Sequence, residues 1–148
     1  MFDQKIEEMI EQVQKPARYI GGEMNTAIKP WSEAEIHFAF CFPDTYEVAM
    51  SHLGMKILYG VLNEQPWALC ERVCMPWVDM MELMKQNGVP LFSLETRTPL
   101  NQFDIVGFTL QYEMSYTNIL TMLKLGGVPL HTSERGMEDP IVRSEERR

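Results

Sequence analysis

Apolar positions at the start of the chain recur in threes and fours. Phe2, Ile6, Met9, Ile10 and Val13 are separated by Asp, Glu and Gln, which predicts an amphipathic helix over about the first dozen residues, ended by Pro16. Tyr19 to Asn25, containing Gly21-Gly22, and Pro30-Trp31-Ser32 have no such period and read as an irregular arm. Ile36 to Phe42 is apolar on both alternating faces apart from His37, the pattern of a strand covered by helices on both sides. Pro43 stops it, Asp44 and Glu47 have capping-box spacing, and Tyr46, Met50, Leu53, Ile57 and Val61 form one helical stripe reaching Asn63. The unit then recurs. Trp67 to Val73 reads as a strand, Pro76 as a first helical residue, Trp77, Met80, Met81 and Met84 as a buried stripe, and Gly88 as the stop. Val89 to Leu94 predicts a short third strand. Asp104 to Leu110 predicts a fourth, followed by a helix capped by Ser115, carrying Tyr116, Ile119, Leu120 and Leu123, and ended by Gly126-Gly127. Asp139 to Val142 begins a fifth strand that the polar run Arg143 to Arg148 cuts short.

Alternating strands and helices predict an α/β fold: a doubly wound, mostly parallel, Rossmann-like sheet with right-handed crossovers. The expected organisation is an N-terminal helix and arm over 1–34, the sheet domain over 35–142 and a polar tail over 143–148. Either the fifth strand is clipped short or the chain is a piece of something longer, and an edge left open would invite self-association. Composition adds limits. At 148 residues and 45% hydrophobic content the chain is about one domain with an ordinary core. A formal charge of -8 disfavours nucleic acid and anionic membrane surfaces as partners. No apolar run approaches the roughly 20 residues of a membrane span, and the acidic N-terminus is unlike a signal peptide, so a cytoplasmic location is expected. Three cysteines suit free thiols in a reducing compartment, and twelve methionines suit adaptable core packing.

Open parallel sheets bind ligands at the carboxyl ends of their strands. That edge gathers Asp44, Thr45 and Tyr46, then Pro76 and Trp77, then Glu95, Thr96 and Arg97, and finally Gln111, Tyr112, Glu113 and Ser115. Asp44, Thr45, Tyr46, Glu95, Arg97, Gln111, Tyr112 and Glu113 are the candidate binding residues. The competing explanation makes Asp44 and Ser115 helix caps and Glu95 with Arg97 a surface ion pair. Cys70 and Cys74 on one strand would stand about 13 Å apart, beyond disulfide reach. His37, His52 and His131 lack metal-ligand spacing, and neither glycine pair sits between a strand and a helix as a phosphate loop would. No Ser or Cys occupies a nucleophile elbow, so no catalytic residue is expected.

Several segments together resemble one family: Tyr19-Ile20-Gly21-Gly22-Glu23-Met24-Asn25, Phe42-Pro43-Asp44-Thr45-Tyr46-Glu47, Met50-Ser51-His52-Leu53-Gly54, Cys70-Glu71-Arg72-Val73, Pro90-Leu91-Phe92-Ser93-Leu94-Glu95-Thr96 and the run from Asp104 to Glu113. They resemble the leading segment of a group of radical S-adenosylmethionine (SAM) proteins, from Arg18 to Val142. The resemblance implies a cobalamin-binding-like domain followed by a radical barrel with a Cys-x3-Cys-x2-Cys iron–sulfur motif. It therefore implies a non-catalytic front end whose partner is that barrel, with the cluster and SAM held there. Histidine-ligated cobalamin domains carry Asp-x-His-x-x-Gly, but around His52 the flanking positions are Met50 and Met55. A histidine ligand to cobalamin is therefore not expected, and this chain is expected to hold no cofactor; the open alternative is cobalamin bound without a protein ligand. The alternative is a stand-alone ligand- or protein-binding module with no cofactor.

Overall fold

The computed structural model describes residues 1–144. Four strands, β1 (Ile36–Phe42), β2 (Ala68–Cys74), β3 (Ile105–Phe108) and β4 (Ile141–Ser144), form one all-parallel sheet in the order β2-β1-β3-β4. Strand alternation divides its side chains. Ala39, Cys41, Val73, Val106 and Phe108 share one core with residues of α1 (Phe2–Ile10), α4 (Val78–Asn87) and α5 (Ser115–Leu125), among them Ile6, Met9, Met80, Met84, Met122 and Leu123. Phe40, Phe42 and Cys70 form a second core with Ala49 of α2 (Tyr46–Ser51) and Met55 and Tyr59 of α3 (Leu53–Asn63). Helices thus cover both faces, each buried Leu or Met adding about 1.5–3 kcal/mol, and the doubly wound expectation holds.

Three sequence expectations change. Val89 to Leu94 does not enter the sheet. Pro90 has no N–H, and the N–H groups of Leu91, Ser93 and Leu94 go to Leu125, Thr98 and Arg72 respectively, so no ladder with one neighbour can form. The strand expected fifth is accordingly the fourth, β4, and among the described residues no further strand pairs with it. Its Ile141 is 58% exposed while Val142 packs on the core; of the expected polar tail, Arg143 and Ser144 lie in β4 and 145–148 fall outside the described residues. Finally, the single helix expected over 46–63 is two, broken at His52, whose ψ of 108° is extended.

The opposite sheet edge is covered by side chains rather than by a strand. The Asn63 amide accepts from Cys70 N–H (2.9 Å) and donates to Cys70 C=O (3.0 Å), imitating a neighbouring strand. Lys29 Nζ bonds the Ala68 carbonyl, and the Glu95 carboxylate accepts from Arg72 N–H at 2.8 Å. No helix among the described residues is long and apolar enough to cross a membrane.

Candidate functional site

From β1 the chain departs through α2 and α3 toward β2, whereas from β3 it departs through α5 toward β4. The carboxyl ends of β1 and β3 are therefore the point where the winding reverses, and a crevice opens there. Its volume is about 270 Å³, between the start of α3 (His52, Gly54, Ile57 and Leu58) and the end of β3 (Thr109 and Gln111). The turns beside it are braced. Tyr112 Oη donates to Asp44 Oδ2 at 3.2 Å, and Asn118 Nδ2 donates to the Pro43 carbonyl at 2.8 Å.

His52 caps α3. Its Nδ1 accepts from Met55 N–H at 3.2 Å, which places the proton of the neutral ring on Nε2 and makes that nitrogen a donor. Gly54 makes room for the ring, since a Cβ there would come within 3.0 Å of His52 Cε1. Thr109 is 4% exposed and its hydroxyl has no partner, a state that costs about 1–3 kcal/mol in a folded protein. Thr109 continues the alternation of β3 on the side of Gly107, the face that carries α3.

A second polar constellation lies beyond β2. Arg72 is buried. Its Nε donates to Glu95 Oε1 (2.6 Å), its Nη2 donates to Glu23 Oε2 (2.7 Å), and its guanidinium lies 4.8 Å over the Tyr59 ring. Tyr46 Oη donates to the other Glu23 oxygen at 2.7 Å, and Tyr59 Oη accepts from Ala27 N–H at 2.8 Å. These bonds fasten the arm to the domain and frame a cleft of about 450 Å³ between residues 23–27 and α2–α3. Burial pushes the Glu95 carboxyl up, an effect that Arg72 opposes. Burial also acts to raise Glu23, but hydrogen bonds from Tyr46 and Arg72 outweigh it and leave this carboxyl below its ordinary value. The Tyr46 phenol is pushed up to about 12 by burial and by its bond to Glu23, so it remains a donor.

The structure divides the residues expected on the strand-end edge. Asp44, Gln111 and Tyr112 lie at the β1/β3 crevice or its brace, with Glu113 exposed on the same turn. Tyr46 and Glu95 join Arg72 on the β2 side, and Thr45 is the N-cap residue of α2 with no side-chain cap bond. Five expectations are corrected. Asp44 caps no helix, because Oδ1 accepts from Thr45 N–H and Oδ2 from Tyr112. Ser115 is the buried first residue of α5, which begins after Met114, and α4 begins at Val78 rather than Pro76, with Trp77 48% exposed. Glu95 and Arg97 are not a pair: Glu95 is committed to Arg72, and Arg97, at a φ of 58°, reaches Glu7 of α1 at 2.6 Å. His52 lies between two helices, not within one.

Sequence reading missed Arg72, Glu23 and Thr109. The adjacent charges Glu71-Arg72 inside an apolar strand were the available signal. They point to opposite faces, and Glu71, fully buried, accepts from Ser93 (2.5 Å) and Thr96 (2.8 Å) beneath the turn that follows Leu94. His37 is structural, with Nδ1 facing Asp104, Nε2 facing the Trp31 carbonyl and the ring stacked 3.9 Å from Trp31.

Cofactor chemistry can be tested against the donors present. Cys41 faces one core and Cys70 and Cys74 the other, all as free thiols raised by burial, Cys74 to about 12. β2 runs through both Cys70 and Cys74, as their expected separation requires. This donor set does not fit a three-cysteine cluster. His52 does not fit a lower ligand to cobalamin either, since its Nε2 carries the proton while Nδ1 caps α3. Among the described residues no group of three His, Cys, Asp or Glu side chains could hold a metal ion.

Among protein families the chain matches the one described as radical SAM proteins, N-terminal, over residues 54–144. No curated protein matches the chain. No solved structure matches it.

Proposed function

The chain belongs to the family of N-terminal segments of radical SAM proteins, and on that premise we propose that its α/β domain is a non-catalytic positioning module whose strand-end edge faces the radical SAM part. The observation that carries this reading is the apolar character of that edge. Beside the starts of α2, α3, α4 and α5 stand Val48 (44% exposed), Leu53 (70%), Trp77 (48%) and Met114 (76%), together with Tyr112 and Tyr116. Surface apolar groups gathered at one end of a sheet are the feature of a face that meets another protein surface. In this reading the cluster and SAM are bound by the radical SAM part, and this chain supplies shape and positioned polar groups around its rim.

The test is photocross-linking in the intact radical SAM protein that carries this segment, with a benzophenone amino acid at Trp77 or at Tyr112 and a control at the fully exposed Met137. Cross-links from the two edge positions into the radical SAM part are expected. Cross-links from Met137 alone, or none from the edge, would overturn the reading.

A further inference from the structure

The crevice between β1 and β3 has a chemistry of its own, separate from the apolar rim. The residues that line it carry three kinds of hydrogen-bond donor. His52 presents Nε2–H because Nδ1 is used by the Met55 N–H. The first-turn amides of Leu53 and Gly54 in α3, an eleven-residue helix, are left over by the helical pattern at the positive end of its dipole, while that of Met55 is taken by His52. The Thr109 hydroxyl, on a residue only 4% exposed that lines the crevice, has no partner in the folded chain. Gln111 adds an amide at the rim, and no Asp or Glu lines the crevice. Gly54 is part of the construction, because a side chain there would push the His52 ring from its place.

We infer that this crevice is a binding site for a phosphoryl group on a small ligand with an apolar body. A ring nitrogen, a helix terminus and a hydroxyl lining one crevice offer donors of three kinds, which suits a tetrahedral oxyanion with several peripheral oxygens better than a planar carboxylate with two. The wall beyond them is apolar: Ile57 is 55% exposed and Leu58 47%, and both line the crevice without being covered. A ligand body lying on that wall would remove this surface from water while its phosphoryl group satisfies Thr109. The inference does not depend on which surface the strand-end edge meets, and it is tested on the 148-residue chain itself.

Inorganic phosphate and phenyl phosphate are the probes, each titrated at constant ionic strength against chloride while the backbone amide NMR signals of His52, Gly54, Thr109 and Gln111 are followed. Both phosphates should move these signals saturably and chloride should not, with phenyl phosphate binding about tenfold tighter through the apolar wall. Thr109→Val should fold normally and weaken phenyl phosphate by about tenfold or more, the loss of one hydrogen bond to a charged group. Gln111→Leu, on the half-buried rim, should weaken it less. No saturable shift at these residues overturns the inference, as does unchanged affinity in Thr109→Val. If Thr109→Val does not fold, unchanged affinity in Gln111→Leu together with equal affinities for the two phosphates overturns it. Failure here would leave the cross-linking result of the intact protein untouched.

Discussion

Replacing Arg72 with Met removes a buried charge while keeping a flexible apolar stem. The consequence is set by the partners left behind. Glu95, with a side chain only 5% exposed, loses the guanidinium bond at 2.6 Å and becomes a buried carboxylate without a countercharge. Glu23 is a quarter exposed and can recover part of its loss from water. Breaking a buried pair from one side costs about 3–5 kcal/mol, against a total stability of about 5–15 kcal/mol. For a chain of this size that corresponds to a fall in Tm of about 6–20 °C. The diagnostic comparison is Arg72→Met with Glu95→Gln, which removes the stranded charge and should recover about half of the loss or more. Urea unfolding of the four proteins measures the cycle. If the double variant is no more stable than Arg72→Met alone, compensation of Glu95 is not what Arg72 does, and the reasoning fails.

Ionised Glu23 is favoured in the folded state, its carboxyl lying below the ordinary 4.5. Its contribution is present above pH 4.5 and is lost as the pH falls through the depressed value, so the wild-type Tm should drop there more steeply than that of Glu23→Gln. Gly21→Ala should lower stability by about 1–3 kcal/mol and expose Lys29 to trypsin, because Gly21 holds a φ of 68° with its open side against the Leu94 carbonyl. Asn63→Leu strips the side-chain pairing from Cys70 N–H and C=O, at about 1–3 kcal/mol. It should also increase self-association through β2 in sedimentation, whereas an unchanged monomer with unchanged Tm would show that the amide does not protect that edge.

The sheet was legible in the sequence where burial leaves a one-dimensional trace. Ile36 to Phe42 is apolar on both faces because cores lie on both sides of it, and the period of Ile6, Met9 and Ile10 follows from packing on one of them. Turn chemistry was less legible because partners far along the chain compete with local ones. Asp44 has the spacing of a cap, yet one of its oxygens is held by Tyr112, 68 residues away. Val89 to Leu94 has the composition of a strand, and only the scattered destinations of its N–H groups show it to be a buried connection. The strand-end rule points to the sheet edge where the crevice opens, but it does not mark the buried polar groups there. Arg72 meets Glu23 across 49 residues, and Thr109 is marked only by the lack of a partner for its hydroxyl.

The central proposal, that the carboxyl ends of the strands face the radical SAM part, is tested most directly by amide hydrogen exchange of this chain compared with the same residues inside the intact radical SAM protein. The account predicts slower exchange in the intact protein over 109–116 and 75–79, the turns leading into α5 and α4, with residues 126–137 at the other end of the sheet unchanged. Protection confined to 126–137, or unchanged exchange at the strand ends, would contradict it.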